Sequence, residues 1–281
     1  MIKNHKTKTP ICWKLEAIGL STNGFYHKKD EQKQVEDRKV KQLVESVHLE
    51  FPYYGYKRVT KQLNKNNIII NHKKIYRIMG EYYLLQPKKR KKAPKTTNSH
   101  HDYVIYTNEV KHLGLVIPST VWVSDITYVW CGDRWGYVSI VMDQSMKKVV
   151  GWSMSTNITK ELCIDAIKQA LSTHEAPIYH HSDRGSQYCS HEYIGILKEN
   201  RITPSMADVG LSVDNPYAES FNRSLKVEEV YFNAYESFEE AKESIEKYIT
   251  CYNTKRLHSS LDYVSPCEFE ANYKLTVSKS L

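Results

Sequence analysis

Trp122-Val123-Ser124-Asp125-Ile126-Thr127-Tyr128 sets one carboxylate in the middle of a run of apolar, β-branched and aromatic residues. The run extends over 121–130, is made of strand formers, and ends at the turn-forming Cys131-Gly132-Asp133. An ionised carboxylate inside a strand is costly unless something positive pairs with it, which makes Asp125 a candidate for chemistry. Outward from this strand, 136–142 and 148–154 read as two more strands and 160–171 as a helix with Leu162, Ile164, Ala166, Ile167 and Ala170 apolar. A short strand over 178–182, a helix over 191–200 and a strand over 202–206 follow. Helices opening at Pro216 and Phe238 close the domain, the second from the capping box Ser237-Phe238-Glu239-Glu240. Periodicity alone reads this half as α/β.

Two further acids share the character of Asp125. Asp183 ends the short strand in His181-Ser182-Asp183-Arg184-Gly185-Ser186, and Glu219 sits one turn into the helix that opens at Asp214-Asn215-Pro216. A single acidic residue is ordinarily a solvated surface charge, but three in such settings form a pattern. Oxygen ligands from separate elements suit Mg²⁺ or Mn²⁺, which keep waters and bridge to phosphates. With Asn215 as N-cap and Pro216 at the first helical position, Glu219 falls near the helix start. Arg223 and Lys226 lie four and seven residues later on the same face, either over DNA or paired with Glu219 or Glu229. Tyr188, just after the Asp183 loop, is a candidate for the wall of this site.

The 281 residues carry a net charge of +8 that is unevenly spread. Residues 1–112 hold 24 Lys/Arg against 10 Asp/Glu, a net of +14, and residues 113–281 a net of −6. Such polarity suits a phosphate-gripping basic part beside a carboxylate-bearing enzyme part. Six scattered cysteines form no CxxC pair, so neither a disulfide framework nor a zinc site is expected, and the pairs His100-His101 and His180-His181 point apart along the chain. No apolar run reaches membrane-spanning length and no signal peptide is legible, so the expected location is the cytoplasm.

In the basic part, Trp13, Leu15, Ile18 and Leu20 read as a short helix, followed by a polar turn at 21–24. Helical spacing begins at Val35 and continues through Val40, Leu43, Val44 and Val47 until Pro52 and Tyr54-Gly55-Tyr56 break it. Val59 and Leu63 mark a second helix, and Asn71 caps a third bearing Ile75, Ile78, Met79 and Tyr82. Lys57, Arg58, Lys73, Lys74 and Arg77 on these helices fit either a DNA-binding helix-turn-helix relative or a small bundle with a solvated basic face. Lys88, Lys89, Arg90, Lys91 and Lys92 then open a polar stretch that reads as a linker tracking a DNA backbone.

Four segments carry a family resemblance: WVSDITYV (122–129), HHSDRGSQY (180–188), DNPYAESFNRSLKVEEV (214–230) and YNTKRLHSSLDYVSPCEFE (252–270). The chain resembles the second-reading-frame (OrfB) transposases of the large bacterial insertion-sequence group related to retroviral integrases. Between Asp183 and Glu219 lie 35 residues, the D,D(35)E spacing of that family. Residues 54–58 and 71–84 resemble its small helical domain, and the likeness runs from about Cys12 to Phe269. Two departures stand out: Arg184 where glutamine is more usual, and Ser205-Met206-Ala207-Asp208 in place of a commoner Ser-Met-Ser.

The resemblance implies a ribonuclease-H-like integrase core, a mixed five-stranded sheet flanked by helices, behind a small helix-turn-helix-like domain. The implied divisions are an N-terminal helical segment at 1–34, the DNA-binding domain at 35–87, a basic linker at 88–112, the core at 113–273 and a tail at 274–281. It implies that Asp125, Asp183 and Glu219 bind two divalent ions, Mg²⁺ or Mn²⁺, for 3′-end cleavage and strand transfer without a covalent enzyme intermediate. Asn253, Arg256 and His258 belong to the family's closing motif and either cap helix ends or touch DNA. The implied partners are the element ends, target DNA, further copies of the chain on DNA, and an upstream-frame protein with a helix-turn-helix and leucine zipper, since no heptad repeat occurs here. Two other readings stand beside this one: a non-catalytic DNA-binding regulator from a decayed element, and a structure-specific nuclease of the same fold.

Overall fold

The computed structural model describes residues 10–19, 21–85, 103–114, 116–208 and 215–279. The chain divides into two compact units, 1–89 and 90–281. Among the described residues no helix is long and apolar enough to cross a membrane.

The first unit is helical: α1 (Ile11–Glu16), α2 (Thr22–Glu50), α3 (Tyr56–Lys65) and α4 (His72–Glu81). Of the apolar positions picked out by 3.6-residue spacing, Val40, Val44, Val47, Val59, Leu63, Ile75, Ile78 and Met79 are buried, whereas Leu43 is half-buried and Tyr82 is exposed. Phe51 and Tyr54 stack at 4.5 Å in the turn that ends α2. The Asn71 side chain accepts from the Lys73 N–H at 2.9 Å and caps α4. The polar turn expected at 21–24 is instead the opening of α2, and the reversal lies at 17–19, where Gly19 has φ 69°. Thr and Asn serve turns and helix starts alike, so residue type does not separate the two outcomes. The boundary expected between 34 and 35 therefore falls inside a helix.

The second unit is built on β1 (Val121–Trp130), β2 (Trp135–Asp143), β3 (Val149–Ser155), β4 (Tyr179–Ser182) and β5 (Thr203–Met206). The sheet order is β3-β2-β1-β4-β5. The β1–β2 and β2–β3 pairs are antiparallel, whereas β4 runs parallel to β1 and β5 to β4. The parallel connections are made by α5 (Lys160–Thr173), and by the short α6 (Ser186–Cys189) with α7 (His191–Glu199). Alternation along β1 divides the core. Val121, Val123 and Val129 pack with residues of α8 (Pro216–Leu225) and α9 (Phe238–Thr254), and Trp122 packs with residues of α5 and α7. Two glycines make this geometry possible. Gly132 takes φ 80° in the β1–β2 turn, and a Cβ on Gly151 would stand 2.3 Å from the Ala166 carbonyl of α5.

The unit departs from expectation at both ends. Part of the segment expected as linker packs on the core: the Glu109 N–H donates to Ser205 Oγ at 2.9 Å, and Val110 and Leu113 pack against the cluster of α8 and α9. Apolar residues at 104–106, 110 and 113 carry no periodicity, so nothing in the sequence separates them from a linker. Residues 274–279 of the segment expected as a tail are helical, since α10 spans Pro266–Lys279, a third closing helix beyond the two predicted. Lys88, Lys89, Arg90, Lys91 and Lys92 lie outside the described residues.

Candidate active site

The register of β4 on β1 brings the first two carboxylates together. Val121 pairs with Tyr179, Trp122 with His180 and Val123 with His181. Continued by two residues, that register sets Asp183 beside Asp125, just past the end of β4. Both acids line one cleft, shared with Thr127, Tyr128, Tyr137 and Gln187. The Asp125 carboxylate accepts from the Ile126 N–H and from Asn222 Nδ2, each at 2.9 Å. Asp183 accepts from the Gly185 N–H at 2.9 Å.

Burial pushes the Asp125 carboxyl up to about 7. The Asp183 charge pushes it the same way, the two hydrogen bonds oppose, and the Glu219 charge adds a smaller upward push. Glu219, on the exposed side of α8, is itself raised by partial burial. Asp125 thus feels the charge of both other carboxylates, with the Lys226 ammonium as a nearby cation. The oxygen-only donor set fits hard divalent ions. Among the described residues, however, no three acidic, histidine or cysteine side chains converge as a ready metal cage.

Helix α8 brings Glu219, and its other residues were only partly foreseen. Asn215 occupies the N-cap position, but its side chain does not cap. It donates instead to the Ser124 carbonyl at 2.8 Å, tying the start of α8 to β1 where β1 has outrun its pairing with β4. Asn222, one turn beyond Glu219, went unnoticed in the sequence. A buried asparagine within a helix is poorly placed by propensity, and that was the available signal. Arg223 is exposed. Lys226 opens a π-helical turn, Lys226–Val230, and its ammonium lies 3.9 Å over the Tyr128 ring. Partial burial lowers the Lys226 pKa and the Asp125 charge pulls it back, which places this cation near the site. Glu229 instead accepts hydrogen bonds from Asn233, Tyr235 and Ser244, so the salt-bridge alternative for Arg223 and Lys226 finds no support there.

Other candidates fall away from the cleft. Tyr188 is buried in the α5–α7 core and walls nothing open. His180 is buried between Ser124 Oγ at 2.8 Å and the Tyr193 hydroxyl at 2.9 Å, and burial drives it down to about 3, so it is a neutral core residue. Arg184 donates to the Ala207 carbonyl at 2.6 Å. The closing motif is structural. Asn253 exchanges hydrogen bonds with the backbone of Val149 at 2.8 and 3.0 Å. Arg256, 2% exposed, grips Glu228 of the π-turn through Nε at 2.6 Å and Nη2 at 2.5 Å. The His258 ring packs edge-on to Tyr252. In the first unit, Arg77 forks onto Asp37 at 2.9 Å and reaches Glu81 at 2.8 Å, while Lys74 reaches Glu36 at 3.3 Å. Those two cations hold α4 to α2. Lys57 and Lys73 are exposed, and Arg58 lies over the Tyr54 ring.

Comparison with known proteins follows the same division. Family models described as integrase core domain match residues 116–212 and 200–266, and one described as an HTH-like domain matches 34–92. The chain is 33% identical over 267 residues to the insertion element IS600 uncharacterized 31 kDa protein of Shigella sonnei, covering 92% of this chain and 97% of that one. It is 34% identical over 249 residues to the transposase for insertion sequence element IS904 of Lactococcus lactis, covering 87% and 98%. Among solved structures, the HTLV-2 integrase catalytic core domain in complex with magnesium aligns with a TM-score of 0.43 at 19% identity, covering 52% of this chain and 93% of that one. With integrase-core and HTH-like regions in this order, and relatives matched over nearly their whole length, the chain belongs to the insertion-sequence transposases, DNA-acting enzymes built on an integrase core.

Proposed function

We propose that this enzyme cleaves the 3′ end of an insertion element and joins the freed hydroxyl to target DNA, with Asp125, Asp183 and Glu219 as the catalytic carboxylates. The observation that carries the reading is Asp125. It is sunk in β1, raised to about 7, shares a cleft with Asp183 and feels the charge of Glu219. Two Mg²⁺ or Mn²⁺ ions held by these three acids would stabilise the attacking and leaving oxygens of an in-line displacement. The protein's own part is positional. Asn222 and the Ile126 N–H fix the Asp125 carboxylate, and the Gly185 N–H fixes Asp183. Water attacks first and a DNA 3′-hydroxyl second. In each displacement one P–O bond forms and another breaks, and no enzyme nucleophile is required. Arg223 and Lys226 hold the DNA end beside the cleft, while Lys57, Arg58, Lys73 and the cluster at 88–92 grip the duplex elsewhere. Assembly on DNA with further copies and with an upstream-frame partner completes the proposal.

Joining assays with the full chain test it. Asp125→Asn, Asp183→Asn and Glu219→Gln should each remove cleavage and joining in Mg²⁺ or Mn²⁺ while the proteins stay folded, and calorimetric Mn²⁺ binding should weaken. Near-native joining by any one folded variant removes that residue from the set. Cutting without joining by the wild type would identify a nuclease, and neither activity a regulator.

A further inference from the structure

Five residues along β1 from Asp125, the β1–β2 hairpin ends in a group of rings. Trp130 and Trp135 are directly paired across the hairpin, with ring centroids 5.0 Å apart at 74°. They remain 48% and 46% exposed. Tyr128 packs edge-on against Trp135 at 5.2 Å and 83°, and it lines the cleft of Asp125 and Asp183, as does its cross-strand partner Tyr137. Rings packed edge to face leave flat faces uncovered. Large aromatic side chains kept in water recover little for the fold, because their apolar area stays hydrated. Tyr128 joins the two regions: it lines the cleft of the carboxylates, carries the Lys226 ammonium over its ring and packs against Trp135.

We propose that Tyr128, Trp130 and Trp135, with Lys226 at their edge, form a subsite for one unstacked base of the DNA end adjoining the scissile phosphate. The inference rests on the strand-transfer reading, because it is that chemistry which brings a DNA end to the cleft. A nucleotide matches both parts of the surface at once, a flat π-face for the rings and an anionic phosphate for the ammonium. An apolar protein segment would match the rings and leave the ammonium unanswered. Because every base has a π-face, the subsite tolerates sequence and selects for a base that has left its pair.

Binding of fluorescein-labelled duplexes to the full chain in Ca²⁺, without cleavage, tests this directly. One duplex is fully paired and the other carries mismatched terminal pairs. The wild type should prefer the frayed duplex. Trp135→Leu and Tyr128→Leu should lose that preference, weakening frayed-end binding about five- to a hundredfold, and Trp135→Phe should keep it. Unchanged circular dichroism and unfolding midpoint of the Leu variants show that the fold is intact. An absent preference in the wild type, or one that survives in both Leu variants, overturns the subsite even if the enzyme joins DNA. A preference abolished in the Leu variants, in a protein that never joins DNA with any divalent ion, keeps the subsite and removes the strand-transfer reading.

Discussion

At the scale of single residues, the site depends on groups that hold the acids as much as on the acids. Asn222 donates to Asp125 from within α8. Losing such an outer partner costs roughly 10–100-fold in metal affinity or activity. Asn222→Ala should therefore lower joining by about that factor and weaken Mn²⁺ binding, and wild-type values for both would reduce Asn222 to packing. His180 makes a separate prediction about pH. Its folded pKa lies near 3, below the ordinary value of 6.5, so its contribution to stability is complete above 6.5 and is lost as pH falls toward 3. Denaturant titrations should show the wild type losing up to about 1.4 kcal/mol per pH unit below 6.5 through this group. His180→Gln should lack that slope, and identical slopes would mean that His180 is charged in the folded state. Asp125 stands out in the sequence because a carboxylate inside a strand of apolar residues is unusual. Asn222 and the non-capping Asn215 do not, since an amide reveals its role only through a partner far along the chain.

At the scale of elements, the strands were easier to read than the helix ends. Alternation and a glycine turn fix β1 and its hairpin locally. The start of α2, by contrast, rests on polar residues that suit a turn equally well. The π-turn after α8 was illegible because one extra residue in five shifts the helical phase too briefly to detect. That turn directs Glu228 inward onto Arg256, a residue type that a sequence reader expects on the surface. Breaking a buried pair by removing one partner strands the other charge, at about 3–5 kcal/mol. Arg256→Met and Glu228→Gln should each destabilise the protein by about that much in chemical denaturation. If Arg256→Met unfolds at the wild-type midpoint, the pair contributes nothing net.

At the scale of the whole molecule, the positive charge is concentrated before residue 113, and the proposed DNA grip follows it. Each phosphate-neutralising cation adds roughly −0.9 to the slope of log affinity against log salt. The exposed Lys57 and Lys73 should count in full, so the double change to Gln should flatten the slope of duplex binding by about 2. Arg77 and Lys74 are engaged with Asp37, Glu36 and Glu81, so their Gln variants should cost stability more than slope. An undiminished slope in the Lys57/Lys73 variant would place the DNA grip elsewhere.

The Glu228–Arg256 pair also has a consequence in time. A ribosome makes Asp125, Asp183, Glu219 and the π-turn before it makes Arg256, so the nascent chain passes through a stage in which Glu228 has no guanidinium to meet it. Until synthesis has moved on and released Arg256 from the exit tunnel, the segment that carries Glu219 and Lys226 lacks its anchor. Chains stalled before that residue should therefore be open to protease around 215–230, and chains stalled well after it should resist. The segment bearing Glu219 and Lys226 thus gains its anchor only after Arg256 has left the tunnel.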